Sequence, residues 1–356
     1  MLIQNRAEKT FTCNALIKLL AFAILLLTLV CCNNNTANRQ IERSFYFWKS
    51  VFTLSDYEKQ MLDSLQVKTI YIKFFDVDWD AERKLAVPVA KIRFTDTAYR
   101  HYKIIPTVFI TNACIQKIDS SQIHVLAKNI QQLLDEIINS NTIKDIPEFQ
   151  LDCDWTAATK EKYFALLNDI QALMPNTKFS ATIRLHQVKY VAKTGIPPVS
   201  SGLLMCYNMG NLKNPATKNS ILETAELKKY IGSLANYPLP LDIALPLFDW
   251  KVLYRNNVYT GLLQNLAANA FDNSFSKKNA NRYFILKDTL LQGYSLQKGD
   301  IIRDEQSSYK EIRSTAAVIN GQLKNTLLRV SLYHLDSVIL RKYTYHELES
   351  IYNSLH

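Results

Sequence analysis

Between residues 45 and 335, short apolar, β-branched runs alternate with stretches whose apolar positions recur at helical spacing. Eight runs read as strands: FYFWKSV (45–51), VKTIYIKFF (67–75), KIIPTVFIT (103–111), EFQLDCDW (148–155), FSATIRLH (179–186), GLLMCYNM (202–209), LDIALPLF (241–248) and LLRVSLYHL (327–335). LSDYEKQMLDSL, QIHVLAKNIQQLLDEIINS, TKEKYFALLNDIQALM, TAELKKYIGSLA and YTYHELESIYNSL read as amphipathic helices. The first of these opens on Ser55 with Glu58 three residues on, a capping box. Eight strands alternating with helices predict an α/β chain folded as a (β/α)8 TIM barrel rather than an open doubly wound sheet. The rhythm breaks once, where about eighty residues separate the seventh strand from the eighth. There RYFILKDTLLQ and YSLQKGDIIRDE read as strands around QGY, followed by a helix from Ser307 to about Gly321. We expect a β-rich insertion, about 256–306, between strand 7 and helix 7, within a single barrel domain spanning 45–356.

The N-terminal segment has a different pattern. Residues 19–30, LLAFAILLLTLV, form an uncharged apolar run behind Arg6, Lys9 and Lys18. Twelve helical residues at about 1.5 Å each fall short of a bilayer core of about 30 Å, so the run reads as an export signal rather than a span. LVCC (29–32) is followed by the polar NNNTAN. The segment resembles a bacterial lipoprotein signal, with 1–31 as the signal peptide, Cys32 as the lipidated residue and 32–44 as a polar tether. An ordinary signal followed by a polar linker is the alternative. Either places the protein outside the cytoplasm; the first anchors it by lipid to the bacterial cell envelope, on the periplasmic or the outer surface.

Composition narrows the classes further. The 356 residues are 48% apolar and 21% charged, which excludes a disordered or collagen-like chain. Forty-two Lys and Arg against thirty-two Asp and Glu leave a net charge of +10, but the excess is diffuse. Without a run of four or more basic residues, a nucleic-acid groove has no support. Beyond Cys32 the cysteines are Cys114, Cys153 and Cys206, an odd number inside apolar runs, which reads as buried thiols rather than disulfides. No glycine-rich phosphate loop follows the first strand, and no cofactor is expected.

In a barrel, chemistry sits where strands end. Those positions hold Trp48, Asp76 with Asp78 and Asp80, Asp152 with Asp154 and Trp155, Arg184 and His186, Tyr207 and Asn208, Asp249 and Trp250, and Tyr333, His334 and Asp336. Asp152 and Asp154, two apart on a strand, share a face and should point into the barrel, raising the pKa of one of them. That suits acid–base catalysis; a structural charge network with Arg184 and Lys73 is the alternative. Alternating acids in FDVDWD could hold a hard cation, but the loop lacks the glycine and terminal Glu of a calcium hand. His186 and His334 lack the spacing of a zinc pair, so no metal is assigned. Each tryptophan could stack on a sugar or serve the core.

EFQLDCDW resembles the fourth-strand D-x-x-D-x-D-x-E signature of chitinase-type (family eighteen) glycoside hydrolases. LLMCYNMG resembles their sixth-strand segment and IALPLFDW their seventh strand. An uncharacterised bacterial lipoprotein family related to these barrels carries segments similar to YIKFFDVDWD, IPTVFIT and QLDCDW. The resemblance covers roughly 45–352 and implies a barrel that binds, and in its active form hydrolyses, a glycan. It places Asp152 and Asp154 as the central acids and Tyr207 beside an N-acetyl group. Trp48, Asp76, Arg184, His186, Asn208, Asp249, Trp250 and His334 complete the substrate-binding set. The chain departs from the signature at two places: Phe149 stands for the first Asp, and Thr156 for the catalytic Glu. Proton donation would then fall to Asp154, with Asp249 or Asp336 as partner. The departure equally suits an inactive glycan-binding or envelope-assembly lipoprotein.

Overall fold

The computed structural model describes residues 39–356 apart from 265, 267 and 268; the signal-peptide and Cys32 readings fall outside these residues. Eight parallel strands form the barrel: β1 (Gln40–Phe47), β2 (Thr69–Asp80), β3 (Lys103–Ile110), β4 (Glu148–Asp152), β5 (Lys178–Arg184), β6 (Ser201–Met205), β7 (Leu241–Pro246) and β8 (Leu327–Tyr333). Each pairs with its neighbour in sequence, and β1 closes the ring against both β8 (Gln40 opposite Leu327) and β2 (Ser44 opposite Thr69). All eight expected strands are present. β1 starts at Gln40, inside the segment read as tether, because QIERS pairs with the start of β8.

Local rules explain much of the outer layer. Helix α1 (Asp56–Ser64) starts with the capping box expected of Ser55 and Glu58. Helix α2 (Ile123–Ser140) buries Ile123, Leu126, Ala127, Ile130, Leu134 and Ile137, one face at helical spacing. Helix α3 (Lys160–Leu173) does the same through Tyr163, Leu166, Leu167 and Ile170. TAELKKYIGSLA departs from expectation: it is split into a four-residue helix, Thr224–Leu227, and a 3₁₀ turn, Ile231–Asn236. Gly232 and Asn236 there are weak helix formers. Gly202 on β6 is required by space, since a Cβ would stand 2.6 Å from Ile183 and 2.7 Å from Leu241. Among the described residues no helix is long and apolar enough to cross a membrane.

Polar side chains fill the end of the barrel where the strands begin. Arg329 on β8 donates to Tyr71 and Glu148 at 2.8 Å each and pairs with Glu42 at 3.1 Å. Its backbone N–H donates to Asp242 at 2.8 Å. Above it, Tyr46 stacks on Tyr71 at 4.7 Å and donates to Gln150. The brace at this end is therefore Arg329; of the Arg184–Lys73 network weighed from sequence, the Arg184 part is present at the other end, where Arg184 pairs with Asp154. Lys73 pairs instead with Asp76 at 2.9 Å. Three residues apart, they would face opposite ways on a regular strand, but a bulge between Lys73 and Phe75 brings them together.

The chain between β7 and β8 builds a second sheet. Its antiparallel order is Val258–Leu263, Asp249–Arg255, Ile301–Gln306, Arg282–Ile285 and Ser276–Asn279. A hairpin, Thr289–Leu291 with Tyr294–Leu296, turns through Gln292 and Gly293 at positive φ, as a two-residue turn requires. Leu253, Leu263, Phe275, Ile285, Leu291, Leu296 and Ile302 give the sheet its own core. The helix that follows, α4 (Tyr309–Asn320), is capped by Ser308 and returns the chain to the barrel.

Candidate functional site

A cleft of about 870 Å³ opens where the barrel strands end. Rings form a continuous band along it. Tyr333 touches Trp48 at 5.8 Å, Tyr207 at 5.3 Å and Phe248 at 5.7 Å between centroids. Trp48 continues to Phe109, and Phe248 to Trp250. Trp155 is absent from the band. It is fully buried, stacked on Tyr163 at 5.2 Å, with its indole N–H donated to Thr194.

The acids sit against these rings. The in–out alternation of β4 persists past its last hydrogen-bonded pair, so Cys153 and Trp155 enter the core while Asp152 and Asp154 border the cleft. Asp152 is deep, 3% exposed, and accepts from Thr182 at 2.5 Å. Burial pushes its carboxyl up to about 6; Arg184 opposes that rise and Asp154 adds to it. Asp154 is outermost, with about half of its side chain exposed, and one oxygen accepts from Arg184 Nε. Arg184 also lies over the Tyr207 ring at 5.9 Å. Thr156 does not line the cleft. Its backbone N–H donates to Thr159 at 2.9 Å as the chain turns into α3.

The remaining carboxylates are engaged. Asp249 pairs with Lys342, and Asp336 with Lys49 at 2.7 Å. Burial would raise Asp336, but Lys49 and the N–H of Ile339 outweigh it and hold the carboxyl below its ordinary range. His334 lines the cleft with its Nδ1 buried and without a hydrogen-bond partner among the described residues, and burial lowers its pKa, leaving the ring neutral near pH 7. Asp76 does not reach the cleft lining, being held by Lys73. His186 lies in a smaller adjoining pocket, while Asn208, at a φ of 55°, borders both. Among the described residues no group of three His, Cys, Asp or Glu side chains is placed to hold a metal ion.

Sequence reasoning did not identify Phe109, Phe248, Lys251 and Lys342 as cleft residues. Phe248, beside the noted Asp249, was within reach; Lys342 was not, because it follows β8 by nine residues. Also unseen was the ion pair between Arg303 and Glu305, both 0% exposed on the strand Ile301–Gln306. Glu305 accepts from Ser220 and, at 2.6 Å, from Trp250 Nε1. Arg303 donates to the carbonyls of Asn214 and Leu212 at 2.8 and 3.2 Å and lies over Tyr254. One buried pair thus ties the wall bearing Trp250 to the loop that follows Asn208.

No family model and no curated protein matches the chain. Solved structures do. The spore cortex-lytic enzyme SleL of Bacillus megaterium QM B1551 superposes with a TM-score of 0.51 at 12% identity, over 89% of this chain and 74% of that one. SleL of Bacillus cereus gives 0.48 at 12% identity, over 89% and 75%. A chitinase from Chromobacterium violaceum gives 0.48 at 10%, over 88% and 98%. At such identities the likeness is one of fold alone: the chain carries a closed, eight-stranded parallel barrel, as its strand pairing shows.

Proposed function

We propose that this protein is a lipid-anchored envelope protein whose barrel binds a glycan and cleaves it with Asp154 as proton donor. The observation that carries the reading is the cleft itself, in which a band of aromatic rings faces Asp152 and Asp154. Aromatic faces take up the apolar faces of sugar rings, and carboxyl groups serve the glycosidic oxygen. Asp154 presents its carboxyl group to the cleft. Asp152 lies buried behind it and holds a proton up to about pH 6.

A second reading, a barrel that binds glycan without cleaving it, is favoured by Thr156, which serves the start of α3 where the family signature has its Glu. Asp249 and Asp336, each held by a lysine, do not supply a free base. Turnover of an oligosaccharide panel by the wild type and Asp154→Asn separates the two. On the first reading the variant loses about 10²–10⁴-fold in rate and keeps its affinity. An unchanged rate removes Asp154 from the mechanism; binding without turnover by the wild type establishes the second reading.

Anchoring is tested separately by Cys32→Ala in cells fed a labelled fatty acid. The variant should lose the label and leave the membrane fraction. Retention of the label would place the modification at another residue.

A further inference from the structure

Beside the main cleft lies a second pocket of about 240 Å³, lined by Asp154, Arg184, Leu185, His186, Tyr207, Asn208, Met209 and Tyr230. The first two residues, with Tyr207 and Asn208, also line the main cleft, so the Asp154–Arg184 ion pair stands between two compartments. A glycan that filled both would pass its chain over Asp154.

The compartments differ in charge. The main cleft is bordered by four carboxylates, Asp152, Asp154, Asp249 and Asp336, against three cations, Arg184, Lys251 and Lys342. The smaller one has a single carboxylate, Asp154, and Arg184 is bound to it through Nε. Tyr230, one of its lining residues, carries the ammonium of Lys189, an exposed residue, 5.0 Å from its ring centroid. His186 is held neutral near pH 7 by burial and contributes hydrogen-bonding capacity rather than charge. Arg184 has used only part of its fork. Its Nη1 is buried with no hydrogen-bond partner among the described residues. A buried guanidinium donor left unpaired is costly, and guanidinium groups bind carboxylates with more than one N–H. A neutral acyl oxygen would satisfy that donor but leave the positive charge of Lys189 unmatched. A carboxylate would satisfy both.

We propose that the smaller compartment binds an acidic sugar unit, its carboxylate held by Arg184 and Lys189 and its ring resting against Tyr230. This rests on the glycan reading above and names the substrate class, a glycan in which a carboxylate-bearing unit lies one step along the chain from the unit at Asp154.

Calorimetry on the full-length protein tests it with two acidic probes, each against its carboxyl-reduced alcohol. One is hyaluronan tetrasaccharide, with the carboxylate on the ring. The other is a tetrasaccharide of alternating N-acetylglucosamine and N-acetylmuramic acid, with the carboxylate on a lactyl ether. At least one acid should bind about tenfold more tightly than its alcohol at low salt. That preference should fall about threefold in Lys189→Gln, a change at an exposed residue. It should vanish in Arg184→Gln, with melting curves reporting whether that variant is folded. Equal binding of acids and alcohols overturns the acidic-sugar assignment and leaves the glycan reading intact. No binding of any probe, or of neutral chitotetraose, removes both.

Discussion

Replacing Glu305 with Gln should lower the free energy of unfolding by about 3–5 kcal/mol, the largest stability effect expected of a single substitution here. The substitution removes one charge of a pair whose members are both fully buried, and leaves the Arg303 guanidinium without its counter-ion. A buried charge stripped of its partner keeps its desolvation cost and loses the attraction that offset it. The loss should also reach the cleft, because the single acceptor oxygen of an amide cannot serve both Arg303 and the Trp250 indole, which donates to the carboxylate at 2.6 Å. Thermal melting followed by circular dichroism and by tryptophan fluorescence checks both effects. A wild-type melting curve for Glu305→Gln would mean that the pair does not hold the insertion against the loop.

The second large effect is a pH dependence. Asp152 titrates at about 6 in the folded chain, raised mainly by burial, against an unfolded value of about 3.9. An acid with a raised folded pKa keeps a proton that the unfolded chain releases. Its favourable contribution is therefore complete below about pH 4 and is lost as pH rises through about 6. The difference is on the order of 3 kcal/mol for a group this buried. Asp242, also pushed up to about 6 by burial, adds a contribution of the same sign. Asp152→Asn should retain the part due to Asp242 and lose its own, so its stability should fall less between pH 4.5 and 7.5 than that of the wild type. Denaturant titrations at the two pH values measure this. Identical slopes for the variant and the wild type would contradict a protonated Asp152 in the fold.

These two effects differ in how far they could be read from the amino-acid order. The acidic pair was legible because strand alternation is local: residues two apart share a face wherever the strand lies. It placed Asp152 and Asp154 at the cleft and Cys153 in the core. The same rule failed at Lys73 and Asp76, where one extra residue in β2 reverses the alternation, and nothing in YIKFFDVDWD marks the bulge. Arg303 and Glu305 are also two apart, but IIRDEQ reads as a charged, solvent-facing strand. Only the loop at 211–220, folding over it from more than eighty residues away, buries that face.

The fold class was determined by the sequence alone. Eight apolar runs spaced by amphipathic helices have few arrangements that bury both faces of every strand, and the closed parallel barrel is one. The sequence also determined which residues stand at the strand ends, since topology carries those ends to one face. The tertiary structure decided what each of them does there. It gave Asp249 to Lys342, Asp336 to Lys49, Asp76 to Lys73 and Asp154 to Arg184. It sent Trp155 into the core and kept Trp48 and Trp250 at the cleft. Charge partners and burial depend on which distant segments meet, and barrel closure brings together residues nearly three hundred positions apart, as in Lys49 and Asp336. Periodicity along the chain carries no information about that meeting.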